Sequence, residues 1–345
     1  MSARLDRRRF LQLGAGALLG TQLYTGEGTR PPRPAGRAVG GPPLRGARYA
    51  RECAGTHARA ADTSAANLAV PAENQQNHLV CVYLQGGVDG LALLPPLGDR
   101  AYSALRPRTA VPADRALPLA PELGFGLHPA LSALAPQLAR GQLRGLTGLG
   151  SSGLSRSHAR AEAQLHAELR RMSVRWELAA PEQNTLPALA PPSLRAQLAT
   201  VAAAIAAREP LAAVLLPVPG FDTHAAQARR LERAFAQLGA ELAEFIIALG
   251  PRFDRTRVLV VSELGRSLHE NRMAGTDDGE AGAALLLGGS LSSVGDGFAS
   301  APWPELAPLA ARDATGIPVQ LPLADLLTAL DRELFGAQRP EVGHG

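Results

Sequence analysis

Leu79-Val80-Cys81-Val82-Tyr83-Leu84-Gln85-Gly86-Gly87-Val88-Asp89-Gly90 is an apolar run followed at once by a glycine-rich turn carrying one carboxylate. A run of this length, bounded by glycine and rich in β-branched and aromatic residues, has the form of a strand buried on both faces. Leu143–Leu149, Ala212–Val218, Val258–Val261 and Ala283–Leu287 share that form. Segments 128–139, 157–172, 193–208, 224–249 and 322–335 carry apolar residues at helical spacing. Strands alternating with helices predict an α/β fold with a mostly parallel central sheet and helices on both faces.

In such sheets the ligand sits beyond the carboxyl ends of the strands, so the residues after each run come next. Asp89 follows the first run. The second leads to Ser151-Ser152-Gly153-Leu154-Ser155-Arg156-Ser157-His158, the third to Pro219-Gly220-Phe221-Asp222-Thr223-His224, and the fourth to Ser262-Glu263-Leu264-Gly265-Arg266. An acidic loop, Gly275-Thr276-Asp277-Asp278-Gly279-Glu280, precedes the fifth. Asp222-x-His224 with carboxylates at 89, 263 and 277 is a pattern for a metal site of mixed oxygen and nitrogen ligands. Each piece also has a plainer reading: Asp89 as the stabiliser of its own turn, Ser157 as a helix cap, and Asp277 and Asp278 as residues of an exposed loop.

Composition narrows the classes. The chain has 345 residues, with 46% hydrophobic and 19% charged, which fits a globular body of one large or two small domains. The formal charge of +4 is uneven: residues 1–60 hold 11 arginines against 3 acids, and residues 61–345 hold 24 against 28. A net-negative body with 4% aromatics lacks the basic stripe and stacking platforms of a nucleic-acid binder, so no nucleic-acid partner is expected. Cys53 and Cys81 cannot build a disulfide framework or a four-cysteine zinc site. Cys81, inside the first run, reads as a small buried hydrophobe, and a Cys53–Cys81 bridge would require an oxidising compartment.

The N-terminus reads as an address. Asp6-Arg7-Arg8-Arg9-Phe10-Leu11-Gln12 leads into the short apolar stretch Leu13–Gly20, the layout of a twin-arginine export signal over 1–24. That predicts a periplasmic or extracellular protein handled by the twin-arginine machinery. It touches the membrane only through this segment if the segment is not removed, because no other stretch reads as long and apolar enough to span a bilayer. Residues 25–77, broken by Pro31, Pro32, Pro34, Pro42 and Pro43, read as a Gly/Pro/Arg-rich linker, leaving 78–338 as the body.

The ordered set LVCVYLQGGVDGLALLPPLGD (79–99), LRPRTAV (105–111), GLHPAL (126–131), SRSH (155–158), GFDTHAAQ (220–227), SELGR (262–266) and AGTDDGEAG (274–282) resembles the bacterial family called domain of unknown function 1501, over about residues 79–335. Members usually carry twin-arginine signals and look like the alkaline-phosphatase/sulfatase superfamily. The resemblance implies an alkaline-phosphatase-like fold and hydrolysis of a small anionic phosphate or sulfate ester with bound metal. By position, Asp89, Asp222, His224, Glu263, Asp277 and Asp278 would hold metal. Ser157 would be the nucleophile, with His158 beside it, and Arg266 would meet the anion. A departure bears on the metal: where the family usually reads Thr-Asp-His-Gly-His-Gly, this chain has Thr276-Asp277-Asp278-Gly279-Glu280-Ala281. Carboxylates in place of imidazoles move preference from Zn²⁺ toward Mg²⁺, Ca²⁺ or Mn²⁺. The stretch between His158 and Asp222 is also shorter than usual, so the alternative is a catalytically degenerate, envelope-associated binding or assembly protein.

The other histidines have plain readings. His128 precedes a proline at a helix start and reads as structural. His166 reads as a solvated mid-helix side chain, and His269 as a surface residue.

Overall fold

The computed structural model describes residues 76–120, 124–150, 158–172, 176–178, 193–289, 291, 303–312 and 314–336. The expected export signal at 1–24, nearly all of the expected linker at 25–77 with Cys53, and Ser157 lie outside the described residues.

Eleven strands occur among the described residues: β1 (His78–Leu84), β2 (Leu117–Ala120), β3 (Phe125–Leu127), β4 (Leu143–Gly150), β5 (Trp176–Leu178), β6 (Ala213–Val218), β7 (Thr256–Val261), β8 (Gly265–Arg266), β9 (Asp278–Gly279), β10 (Gly282–Leu287) and β11 (Leu321–Pro322). Seven of them form one sheet in the order β11-β4-β10-β7-β1-β6-β5. β1 pairs in parallel with both β6 and β7, β5 with β6, and β11 with β4. β10 is the exception, antiparallel to β4 and to β7. Only the small β8–β9 pair and its loops separate β7 from β10. Parallel pairing needs a crossover of a dozen or more residues, usually a helix, so a chain returning without one lies antiparallel.

The helices are α1 (Gly90–Leu93), α2 (Ala101–Leu105), α3 (Ala135–Ala139), α4 (His158–Arg171), α5 (Leu194–Ala206), α6 (Gln227–Leu249), α7 (Leu306–Ala310) and α8 (Leu323–Phe335). Segment 128–139 is split, with a 3₁₀ stretch at Pro129–Leu134 before α3. Strand side chains alternate between faces. Val80, Val82, Val214, Leu216, Val258, Val260 and Leu285 pack with Val201 of α5 and Phe235 and Leu242 of α6. Leu79, Cys81, Tyr83, Leu215, Leu259, Val261 and Leu286 pack with Leu165 of α4 and Leu326 of α8. Both faces are thus covered, and each fully buried leucine or valine contributes about 1.5–3 kcal/mol. Cys81 is buried with a free thiol, and burial pushes its pKa up.

Two expectations change. Ala283–Leu287, the fifth run and the final strand expected from the sequence, is followed by β11, which joins the far edge of the sheet beside β4. Contrary to the sequence reading, α6 with its extension to Arg255 is long and apolar enough to cross a membrane by length and composition. In the fold, its apolar stripe of Leu231, Phe235, Leu238, Leu242, Phe245 and Leu249 is buried in the protein core.

Candidate functional site

β7, β1 and β6 are parallel neighbours, so the loops after Leu84, Val218 and Val261 leave the sheet at one edge. β10 starts at that same edge because it runs antiparallel to β7. β8 and β9 pair Arg266 with Asp278 across that edge. Glycine lets the loops come close: a Cβ on Gly86, where φ is +107°, would lie 2.5 Å from the Asp222 backbone nitrogen.

His158, at the start of α4, stands between two loops. Its Nδ1 is 3.1 Å from Glu263 Oε1 and its Nε2 is 3.1 Å from Asp278 Oδ1. An imidazolium donates from both nitrogens, and the bond to Glu263 raises the His158 pKa, opposed by burial and helped by the Asp278 charge. Glu263 is buried, and burial would push its carboxyl upward. Bonds from His158, its own backbone, the Gly86 N–H at 2.8 Å and Ser262 outweigh that and hold it below its ordinary value. The Ser262 hydroxyl accepts from Val88 N and lies 2.9 Å from Glu263 Oε2 and 2.8 Å from Leu84 O. Its one proton serves either acceptor.

Asp222 and His224 form the second pair, with His224 Nδ1 2.5 Å from Asp222 Oδ1. His224 Nε2 is 3.7 Å from Asp278 Oδ1 and 4.0 Å from Asp277 Oδ1. Asp222 is held below the ordinary carboxylate range: burial works upward, but bonds from Arg266 and His224 prevail. Side chains of Asp222, His224 and Asp277 are 58%, 45% and 66% exposed, so they form the rim that a ligand meets first.

Arg266 underlies this rim and corrects one expectation. Its side chain is 0% exposed, so it is not placed to meet a substrate. Nε donates to Gly87 O at 2.6 Å, Nη1 to Thr276 O at 3.0 Å, and Nη2 to Gly86 O, to Phe221 O and, at 2.8 Å, to Asp222 Oδ1. It braces three loops and lies 3.3 Å from Asp278 Oδ1.

Asp89 corrects another. It is 0% exposed, it caps α1 by accepting from Leu91 N at 3.1 Å, and its oxygens take bonds from Arg106 at 2.5 and 3.2 Å and from Gln227 Nε2. Its lone pairs are occupied, so it stands outside the cluster of His158, Asp222, His224, Glu263, Asp277 and Asp278. Arg106 also donates to Leu268 O and Ser267 O. The plainer reading of Asp89, as stabiliser of its own turn, matches its place. Among the other histidines, His128 is buried edge-on against Phe235 and its Nδ1 accepts from Ala130 N. His269 is exposed. His166 departs from the solvated reading: it is half-buried, edge-on to Tyr83, with Nε2 shielded from solvent.

Several residues that brace the cluster carried no signal of their own. Gln227, Thr223 and Thr276 form a buried hydrogen-bonded group beneath the rim. Asn271 Nδ2 bonds both His224 O and Asp277 Oδ1 at 2.9 Å. Arg106 and Gln227 do fall inside the quoted LRPRTAV and GFDTHAAQ blocks. A cavity of about 260 Å³ lies apart from the cluster, lined in part by Arg115, His128, Gln227, Leu231 and Glu232.

A divalent cation suits the donor chemistry, which is carboxylate oxygen plus imidazole. The arrangement does not converge: among the described residues no group of three or more His, Cys, Asp or Glu is placed to hold a metal ion, because these side chains bond one another and Arg266. For a cation to bind, the imidazoles must turn away from their carboxylate partners.

Residues 156–319 match the family described as protein of unknown function (DUF1501). The matched segment contains every candidate residue except Asp89. No curated protein matches the chain. Among solved structures, the soluble domain of lipooligosaccharide phosphoethanolamine transferase A from Neisseria meningitidis is similar over 69% of this chain and 83% of that one, at 14% identity and a TM-score of 0.31.

Proposed function

We propose that this chain is an exported, divalent-cation-dependent hydrolase of an anionic phosphate or sulfate ester, on an alkaline-phosphatase-like α/β fold. The observation that carries the reading is charge. Asp222, Glu263, Asp277 and Asp278 gather around one guanidinium, that of Arg266, and two imidazoles, those of His158 and His224. Four carboxylates outnumber the one guanidinium and two imidazoles whatever the imidazoles' charge, so the edge attracts a cation and repels an anionic ester until that negative charge is neutralised. Asp222, His224, Glu263 and Asp278, with Asp277 at the rim, would hold the ion, and its chemistry would be to polarise an ester oxygen. His158, held by Glu263, is placed to keep or release a proton at Nδ1 or Nε2. Ser157, its neighbour in sequence, is the nucleophile this reading uses. Export rests on the arginine pair and weak apolar run at residues 7–20.

One observation favours a second reading, a binding or assembly protein without turnover: the prospective ligands bond each other and the buried Arg266. Elemental analysis of protein purified without chelators, followed by Mn²⁺ titration and an ester screen, separates the two. The hydrolase reading expects near-stoichiometric metal, lost in Asp222→Ala and Glu263→Ala, and turnover abolished by chelation. A folded protein that takes up no metal and cleaves no ester overturns it in favour of the binding role.

A further inference from the structure

Gln227 opens α6 and is 1% exposed. Its Oε1 accepts from Thr223 Oγ1 at 2.9 Å and from Thr276 Oγ1 at 2.6 Å, while Nε2 donates to Asp89 Oδ2. Thr223 and Thr276 are each 0% exposed. Thr223 lies between Asp222 and His224, and Thr276 directly precedes Asp277 and Asp278. One buried amide therefore holds both rim loops, each through the residue next to its candidate ligands, and is itself held by the Asp89–Arg106 pair.

The chemistry selects an amide. One carbonyl oxygen has lone pairs for two hydroxyl donors, and one amino group can face a carboxylate. Asp89 fixes the orientation, because the flipped amide would set oxygen against carboxylate. Glutamate would do the same, and leucine would leave Asp89, Thr223 and Thr276 each short of a buried partner.

We propose that Gln227 is a positioning residue, a three-way clasp that sets the Asp222–His224 loop in register with the Asp277–Asp278 loop, anchored on Asp89. The clasp does not depend on the hydrolase reading, and local backbone opening reports it directly. Hydrogen exchange of the full chain in Gln227→Leu should show amides of 221–225 and 271–278 exchanging about 10-fold faster, with β1 and β7 amides unchanged. No acceleration, or the same acceleration throughout the core strands, overturns the proposal.

If Gln227→Leu does not fold, the single legs decide. Thr276→Val keeps the shape and removes one hydroxyl, so 275–278 should loosen while 221–225 stays protected, and Thr276→Ser should restore protection. Val and Ser variants with the same exchange in 275–278 would overturn the clasp. Mn²⁺ affinity measured on the same proteins is expected to fall about 10-fold in Thr276→Val. A wild-type chain that binds no Mn²⁺ removes the cation reading and leaves the exchange result to stand or fall alone.

Discussion

Asp89 and Arg106 show how a residue's role depends on what it faces. A carboxylate after a strand reads equally as a ligand or a turn stabiliser, and the partners that decide lie far along the chain, with Gln227 beyond any local pattern. Both members of the ion pair are at most 1% exposed, so removing the cation leaves a buried charge without its counterion. Arg106→Met is expected to cost about 3–5 kcal/mol in urea unfolding. Arg106→Met combined with Asp89→Asn should cost clearly less than the two single losses added together. A single-variant loss below about 1 kcal/mol would mean that the pair is hydrated in solution.

At the level of elements, legibility followed length and burial. The five apolar runs became β1, β4, β6, β7 and β10 within a residue or two of their expected ends, because a strand buried on both faces has few polar positions. β5, β8, β9 and β11 are two or three residues long, and such pieces exist through partners remote in sequence, which no window of residues contains. β10 also hid its direction, since an antiparallel strand in this sheet is as apolar as its parallel neighbours. The turn after β1 offers a test. Gly86 combines a positive φ with the 2.5 Å approach to Asp222 N, whereas Gly141 has φ +67° and nothing within 4 Å. Gly141→Ala should cost about 1 kcal/mol of backbone strain, and Gly86→Ala about 2 kcal/mol or more with its bond to Glu263 weakened. Equal losses in denaturant unfolding would show that the loops do not meet so closely.

For the molecule as a whole, stability should depend on pH through His128. The ring is 7% exposed and its pKa is lowered to about 4, mainly by burial and further by the Arg115 charge, with Asp89 opposing. The unfolded imidazole binds a proton near its ordinary 6.5, so the unfolded state holds more protons between those values. The contribution is complete above about pH 6.5 and falls as pH drops toward 4, by roughly 3 kcal/mol. His128→Asn, which can still cap the helical turn after it, should lose this slope when its unfolding curves between pH 4 and 7.5 are subtracted from wild type. Parallel curves would place the slope elsewhere. The strand order has a different consequence, for how the chain is made. β1 is synthesised early, yet the strands that flank it begin at Ala213 and Thr256. During translation an apolar strand with two open edges must therefore wait for most of the polypeptide to emerge. Such a segment is exposed to aggregation while it waits, so the growing chain has a long interval in which a chaperone can hold it.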